Sequence, residues 1–500
     1  MTVGRLAIVL HSHSPWLVGY GTWPVGEEWL RQAWAHSYLP VLALLRARAE
    51  QGRTDMLTLG VTPVLAAQWD EPSTVREQAR WIEDWRLRAS GKAIEAIARA
   101  DDHALTDATR HFRLASTAAH EFETHWRAGG SAALRPLVDA RAIEVLGGPM
   151  THTFTPHLLD PVAHLAFASG LTDSTVRLGH QPRGVWIPEC AYRPGVEGVL
   201  QHLGVSHTMV DGPSLQRIGA DLHRPHRISG SDVVVFGRDL SLTYRVWSPR
   251  RGYPGSPWYQ DFHTFDHDWG LRSFRVTRRE SSDKAPYSEE RAREQVLTDA
   301  QDFLATARQT LVQSKQPDPV VVVGYDTELF GHWWHEGPQF LAAVLDGASD
   351  AGIQLTTLAA ERERMLDSPA VELQPGSWGS GKDFRVWENG EAGDLRDQGR
   401  GAQYAFLEYL RSRGQAANIG RDVRGDAIAT ELLLGLASDW PFMITKDSAA
   451  EYARNRADTH LRTVADLLRS AHHDDSAPAR DTRLPFVDSR VALQGAPASS

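Results

Sequence analysis

Residues 319–334 read PVVVVGYDTELFGHWW. A proline opens a run of four valines, Val320 to Val323, and the run leads through Gly324 and Tyr325 to Asp326. Valine branches at Cβ, which limits its rotamers and favours extended backbone. A run that is apolar at every position, with no polar alternation, predicts a strand buried on both faces. Such strands belong to parallel sheets covered by helices. Beyond the strand, Asp326 enters a loop crowded with Phe330, Trp333 and Trp334. A carboxylate at the C-terminal end of a buried parallel strand stands where barrel enzymes place their chemistry. A solvated loop beside a few core aromatics is the plainer alternative.

Similar short runs recur outward from this segment: Leu6–Leu10, Asp55–Leu59, Ile143–Leu146, Val185–Ile187, Thr208–Val210 and Val233–Phe236. Helix-like stretches separate them. Residues 27–50, for example, carry Leu30, Ala33, Trp34 and Leu42 at helical spacing. This alternation predicts an α/β fold, and no glycine-rich phosphate loop follows the first strand, so a barrel fits better than an open dinucleotide-binding sheet. From 72 to 128 the strand signal disappears into an Arg/Glu/Ala-rich helical insertion. Residues 248–287, rich in Gly, Pro, Tyr, Trp and Asp, predict a long functional loop. Helical segments near 400–412, 426–438 and 447–470 follow. The expected organisation is a catalytic barrel over 1–375, a helical domain over 376–471 and a mobile tail over 472–500.

Composition narrows the class. The chain has 500 residues, 42% hydrophobic and 23% charged, which excludes a disordered or fibrous protein. A net charge of −10 with no basic block argues against a nucleic-acid partner. The lone cysteine, Cys190, excludes an intrachain disulfide and a cysteine zinc site. The opening apolar run, Leu6 to Leu10, ends in histidines and does not read as a signal peptide. No stretch approaches the ~18 apolar residues of a membrane span. A soluble, cytoplasmic protein without a membrane partner is expected. The 17 tryptophans and 22 histidines stand out, since flat rings line clefts that bind sugars.

Three constellations carry chemistry. His11 and His13 alternate after the first strand and so face one side, as a metal pair or as contacts to sugar hydroxyls. Glu189, inside Trp186-Ile187-Pro188-Glu189-Cys190-Ala191-Tyr192, follows another strand; it is a second strand-end carboxylate or the cap of the helix near Pro194. Asp326 is the third. Two carboxylates from different strand ends among aromatic rings match glycoside chemistry, in which one attacks the anomeric carbon or activates water and the other protonates the leaving oxygen.

Five blocks in order carry a resemblance: His11-Ser12-His13-Ser14-Pro15; Ile143 to Gly148 with His152; Trp186 to Tyr192; Tyr325 to Trp334; and Ser377-Trp378-Gly379 with Trp387. Over nearly its whole length the chain resembles glycoside hydrolase family 57 and, within it, the α-1,4-glucan branching enzymes. It is nearest the actinobacterial branch, whose members are linked with glucan or methylglucose polysaccharide synthesis. The resemblance implies an incomplete (β/α)7 barrel with a helical insertion and a C-terminal helical domain. It implies a retaining mechanism with Glu189 as nucleophile and Asp326 as general acid/base. His11, His13, Glu144 and His152 match the donor subsite; Arg238, Trp247 and Gly255 match substrate contacts. Trp378, Trp387, Asp439 and Trp440 match positions where the C-terminal region closes on the glucan. An α-glucan serves as donor and as acceptor, with no cofactor and no metal. Two departures stand out. Many branching members carry a loop tyrosine over the cleft, whereas here no Tyr occurs from Arg193 to Thr243 and the loop reads LHRPHR, Leu222 to Arg227. A contact glutamine is Ser448.

Two other readings use the same residues. An α-amylase-like hydrolase would pass the glycosyl group to water. A metal-dependent amidohydrolase-like barrel would use His11, His13 and Asp326 as ligands. A non-catalytic glucan-binding protein would use the tryptophans, but the paired carboxylates argue against it.

Overall fold

Strand β1 (Gly4–Ser12) is buried along its whole length. Its side chains alternate: Leu6, Ile8 and Leu10 meet the surrounding helices, while Ala7 and Val9 point into the centre beside Leu146, Met209, Phe236 and Val322. The period of two therefore carries His11 inward at the strand's end. The same holds for β8 (Val320–Asp326), where Val321, Val323 and Tyr325 face the helices and Val320 and Val322 face the centre. Two steps further, Asp326 ends on the inner side. In the computed structural model, which describes residues 2–248, 251–278, 281–364, 367–413, 421–471 and 480–494, these two strands are neighbours with His11 beside Asp326.

The remaining strands are β2 (Leu57–Val61), β3 (Ile143–Leu146), β4 (Gly184–Val185), β5 (His207–Asp211), β6 (His226–Ile228), β7 (Val234–Arg238), β9 (Ile353–Thr356) and β10 (Ala370–Val371). Parallel pairing runs β8-β1-β2-β3 and β4-β5-β7. Two thin seams complete a seven-stranded ring: the Gly147–Val185 bridge joins β3 to β4, and Arg238 beside Val322 joins β7 to β8. This is the incomplete (β/α)7 barrel expected from the sequence. Strand β9 shares an edge of β1 with β2, pairing with Gly4–Ala7 where β2 takes Val9–Ser12. Strand β6 lies antiparallel on β7 and carries β10.

Helices Pro72–Arg99 and Asp102–Glu121 occupy the stretch between β2 and β3, where the strand signal disappears. Their N-terminal amides are capped by Glu71, which accepts from Thr74 N, and by Asp101, which accepts from Ala104 N. The loop from 248 to 287 is irregular but anchored, with buried Tyr259 donating to Asp299 Oδ2 at 2.5 Å and Lys284 paired with Asp261 at 2.6 Å. Residues 249–250 and 279–280 of that loop lie outside the described residues.

After the barrel come helices Gly393–Arg413, Val423–Gly435, Asp439–Thr445 and Ala450–Ser470. Their core includes Val162 and Met150 from the barrel side, so the two regions share apolar packing. The expectation of a mobile tail needs correction for residues 480–494. Leu484, Val487 and Ala492 are buried in this helical core, because an apolar residue at every few positions gives the segment something to bury. Residues 472–479 and 495–500 lie outside the described residues. Among the described residues no helix is long and apolar enough to cross a membrane.

Candidate active site

The barrel's C-terminal mouth gathers carboxylates, imidazoles and indoles. Glu189 follows β4 in the short turn Pro188–Cys190 and takes the left-handed conformation, φ 62°, ψ 16°. A residue with a Cβ pays strain there, and such strain persists where surrounding contacts over-determine it. Here Trp378 fixes both ends: its backbone N–H donates to Glu189 O at 2.9 Å and its Nε1–H donates to Glu189 Oε2 at 2.7 Å. Ser438 Oγ–H donates to Oε1 at 2.8 Å. Burial pushes the Glu189 carboxyl above its ordinary range, while these two donors pull it back.

Ser438 orders the imidazoles behind it. Its single proton goes to Glu189, so it accepts from His152 Nδ1–H at 2.8 Å. His152 Nε2 then carries the lone pair and accepts from His11 Nε2–H at 3.0 Å. His11 Nδ1 is left buried without a partner, and the His11 ring stacks on Trp186 at 4.2 Å. Burial, reinforced by neighbouring His13, lowers both His11 and His152 well below the ordinary imidazole range, so each is neutral in this chain. His13 stacks on His152 at 3.8 Å, meets Thr62 Oγ1 at 3.0 Å and reaches Asp439 Oδ2 at 2.9 Å.

Asp326 is half-buried at the end of β8. Burial raises its carboxyl well above the ordinary range, and the charges of Glu328 and then Glu189 add to the rise, against Arg238. Glu328 accepts from His13 N at 3.0 Å and from the Tyr38 hydroxyl, and burial raises it too. Arg238 enters from β7, donates from Nε to Asp211 Oδ1 at 2.8 Å and stands 5.1 Å over the Trp378 ring. Gly324 makes room for it, since a Cβ there would lie 2.7 Å from Met209 and 3.3 Å from Arg238.

The structure thus brings together His11, His13, His152, Glu189, Arg238, Asp326, Trp378 and Asp439. Ser438 and Glu328 join them unforeseen; the only signal was their place beside Asp439 and Asp326. Glu144 sits two residues short of its strand end, and its oxygens are taken by His207 at 2.6 Å, Thr58 at 2.9 Å and Ala359 N at 2.9 Å. These contacts brace the barrel interior. Trp387 is 0% exposed, stacked on Phe154 at 4.7 Å, and Trp440 is 1% exposed with Nε1 donating to Leu434 O. Both rings are packed inside the chain. Trp247 is partly exposed and meets Trp333 edge-on at 6.0 Å, on the rim. Gly255 lies in the turn Tyr253–Gly255, tied through the Tyr253 hydroxyl to Asp302 of helix Glu289–Gln313, outside this hydrogen-bonded group. Ser448 contributes only its N–H to Met443 O at 3.0 Å, closing the turn after Asp439–Thr445.

The loop Leu222–Arg227 packs on the barrel strands: a Cβ on Gly237, the residue before Arg238, would lie 2.8 Å from the Leu222 side chain, and His223 Nε2 stands 3.5 Å from Asp239 Oδ2. His223 O accepts from Val320 N at 3.0 Å, at the start of β8. Six residues of extended strand, about 20 Å, separate that point from Asp326. Among the described residues, the group able to hold a metal ion is His13, His152 and Asp439, with one ligand atom each within 4.8 Å of the others. Asp326, the third ligand of the metal-dependent reading, is not part of it.

The family model described as glycosyl hydrolase family 57 matches residues 7–366, and that described as "1,4-alpha-glucan branching enzyme, C-terminal" matches residues 403–485. A probable 1,4-alpha-glucan branching enzyme of Mycobacterium tuberculosis is 44% identical over 94% of this chain and 93% of its own. The crystal structure of a family 57 branching enzyme from Thermococcus kodakaraensis, in complex with glucose, superposes with TM-score 0.86 at 27% identity, over 99% of this chain and 94% of that one. A branching enzyme from Pyrococcus horikoshii gives TM-score 0.86 at 29% identity, over 98% and 94%.

Proposed function

The chain belongs to glycosyl hydrolase family 57, and we infer that it is a 1,4-alpha-glucan branching enzyme that works by double displacement. The observation that carries the mechanism is the contrast between two carboxylates at the barrel mouth. Burial raises both carboxyls, but Glu189 accepts two hydrogen bonds that favour its charged form, whereas Asp326 is pushed further toward its protonated form by the charges of Glu328 and Glu189. In the first step a Glu189 oxygen attacks C1 of the donor glucan. The C1–O4 bond breaks, and Asp326 gives its proton to the departing O4. In the second step Asp326 takes the proton of an acceptor 6-hydroxyl. That oxygen attacks C1 and displaces Glu189, forming an α-1,6 link. Both carboxyl groups return to their starting states, so the cycle consumes no cofactor.

Trp378 and Ser438 hold the nucleophile, and Arg238 offers a positive charge beside the indole. His11, His13, His152 and Asp439 form the floor on which the donor glucosyl unit lies. Incubation with amylose tests the function. New α-1,6 linkages by proton NMR, with reducing ends rising slowly, are expected. Rising reducing ends with no α-1,6 signal would make the protein a hydrolase.

A further inference from the structure

Two charged residues close to the nucleophile, Asp211 and Lys382, make no hydrogen bond or ion pair with Glu189 or Asp326 among the described residues. Asp211 ends β5 beside Arg238, its register partner at the end of β7, and is 0% exposed. Its Oδ1 accepts from Arg238 Nε–H at 2.8 Å, and Lys382 Nζ stands 2.8 Å from its Oδ2. One carboxylate therefore holds two cations, and both are largely removed from water. Charges in such a place are costly to desolvate, and they persist only with well-formed partners.

Both cations converge on Trp378. Lys382 Nζ donates to Trp378 O at 3.0 Å, and the Arg238 guanidinium lies 5.1 Å over the Trp378 ring. The backbone N–H and Nε1–H of Trp378 already go to Glu189, and the antiparallel bridge of Tyr192 with Gly376 sets this segment beside the nucleophile's turn. Residue 378 is thus held at its N–H, at its carbonyl and at one face of its ring. Lys382 reaches back through a tight turn, with Gly381 at φ 79° and its own backbone left-handed at φ 60°. That conformation costs strain in a residue with a Cβ, and it persists where contacts over-determine it. Here the contacts are those of the ammonium, with Trp378 O and Asp211, and the Lys382 N–H donating to Gly379 O at 3.0 Å.

The indole N–H has to stay on line with Glu189 while the carboxylate becomes an ester and returns. A hydrogen bond weakens steeply as its angle closes, and a donor fixed in advance needs no reorganisation at the moment of reaction. We propose that Lys382 is a positioning residue for the nucleophile, anchored on Asp211: its ammonium fixes the Trp378 carbonyl and so keeps the indole N–H aimed at Glu189. Asp211 completes the device by holding Arg238 over the same ring. The proposal rests on Glu189 being the nucleophile, as inferred above.

Lys382→Met tests it, because the apolar stem is kept and Asp211 stays paired with Arg238, so no buried charge is left alone. With amylose as substrate, kcat should fall about tenfold while KM stays within about twofold. Lys382→Arg, which keeps the charge and its donors, should restore most of kcat. Trp378→Phe removes the indole N–H, and in that background Lys382→Met should lower kcat little further, because the two residues act as one unit. Lys382→Gln runs the same cycle if the methionine variant does not fold. An unchanged kcat in Lys382→Met overturns the proposal. So does an equal fall in both backgrounds, which would mean that the ammonium acts without the indole, and so does a raised KM at constant kcat, which would make Lys382 a substrate contact. If the wild-type protein forms no glycosyl adduct on Glu189, the nucleophile assignment fails and takes this proposal with it. If the adduct forms and the variants turn over like wild type, the proposal alone fails.

Discussion

Glu189 is held between opposing forces. Removal from water favours its neutral form, while the indole and hydroxyl donors favour its anion. Ser438→Ala removes one donor to a charged acceptor, worth about 1.5–3 kcal/mol, or roughly ten- to hundredfold in kcat/KM. The lost donor also lets the Glu189 pKa rise further, so the acidic limb of the pH profile should move to higher pH. A fall in activity with an unmoved limb would mean that Ser438 only packs. Glu328 acts on the other limb. Its negative charge raises Asp326, so Glu328→Gln should lower the apparent value at which Asp326 loses its proton and move the alkaline limb of kcat/KM to lower pH. A shift to higher pH would contradict this. Sequence reading reaches Glu189 and Asp326 because each stands where a strand stops. It misses Ser438 and Glu328 because a serine or glutamate one or two positions from a recognised residue carries no mark of its own. Their roles arise from contacts 249 and 290 residues apart in the chain.

Among the elements, strands β1 and β8 are the most legible. Burial on both faces makes them apolar at every position, and their alternation places His11 and Asp326 on the inner side. Strands β6 and β9 interrupt their apolar residues with His226, Arg227, Gln354 and Thr356, and β10 has 2 residues, so none of the three forms the continuous apolar run that marks β1 and β8. The aromatic residues of the C-terminal region show a different limit. Residue type does not reveal which face of an indole is covered, so Trp378, Trp387 and Trp440 read alike, yet only Trp378 touches Glu189. Trp387 instead joins Phe154, Ala191 and Val386 in a small core, and its Nε1–H donates to Ser438 O at 3.2 Å. Trp387→Ala should therefore lower stability by about 3–5 kcal/mol, measured as a fall in Tm. An unchanged Tm with a raised KM for glucan would restore the glucan-contact role.

At the scale of the whole molecule, the proposed mechanism depends on two regions meeting. The barrel supplies Glu189, Asp326 and the histidines, and the helical region supplies Ser438 and Asp439, joined by the antiparallel bridge of Thr153 with Ala437 and by Ser438 N–H donating to His152 O at 3.0 Å. Neither region alone holds the nucleophile in place. The central claim is that the transferred chain is carried covalently on Glu189. A 5-fluoro glycosyl fluoride reacts with the nucleophile but slows the second step, so the adduct accumulates and can be mapped by peptide mass spectrometry. The expected result is one glycosyl adduct per chain, on the peptide containing Glu189, released when a maltooligosaccharide acceptor is added. Turnover of the fluoride without an adduct, or an adduct on any other residue, would contradict the account.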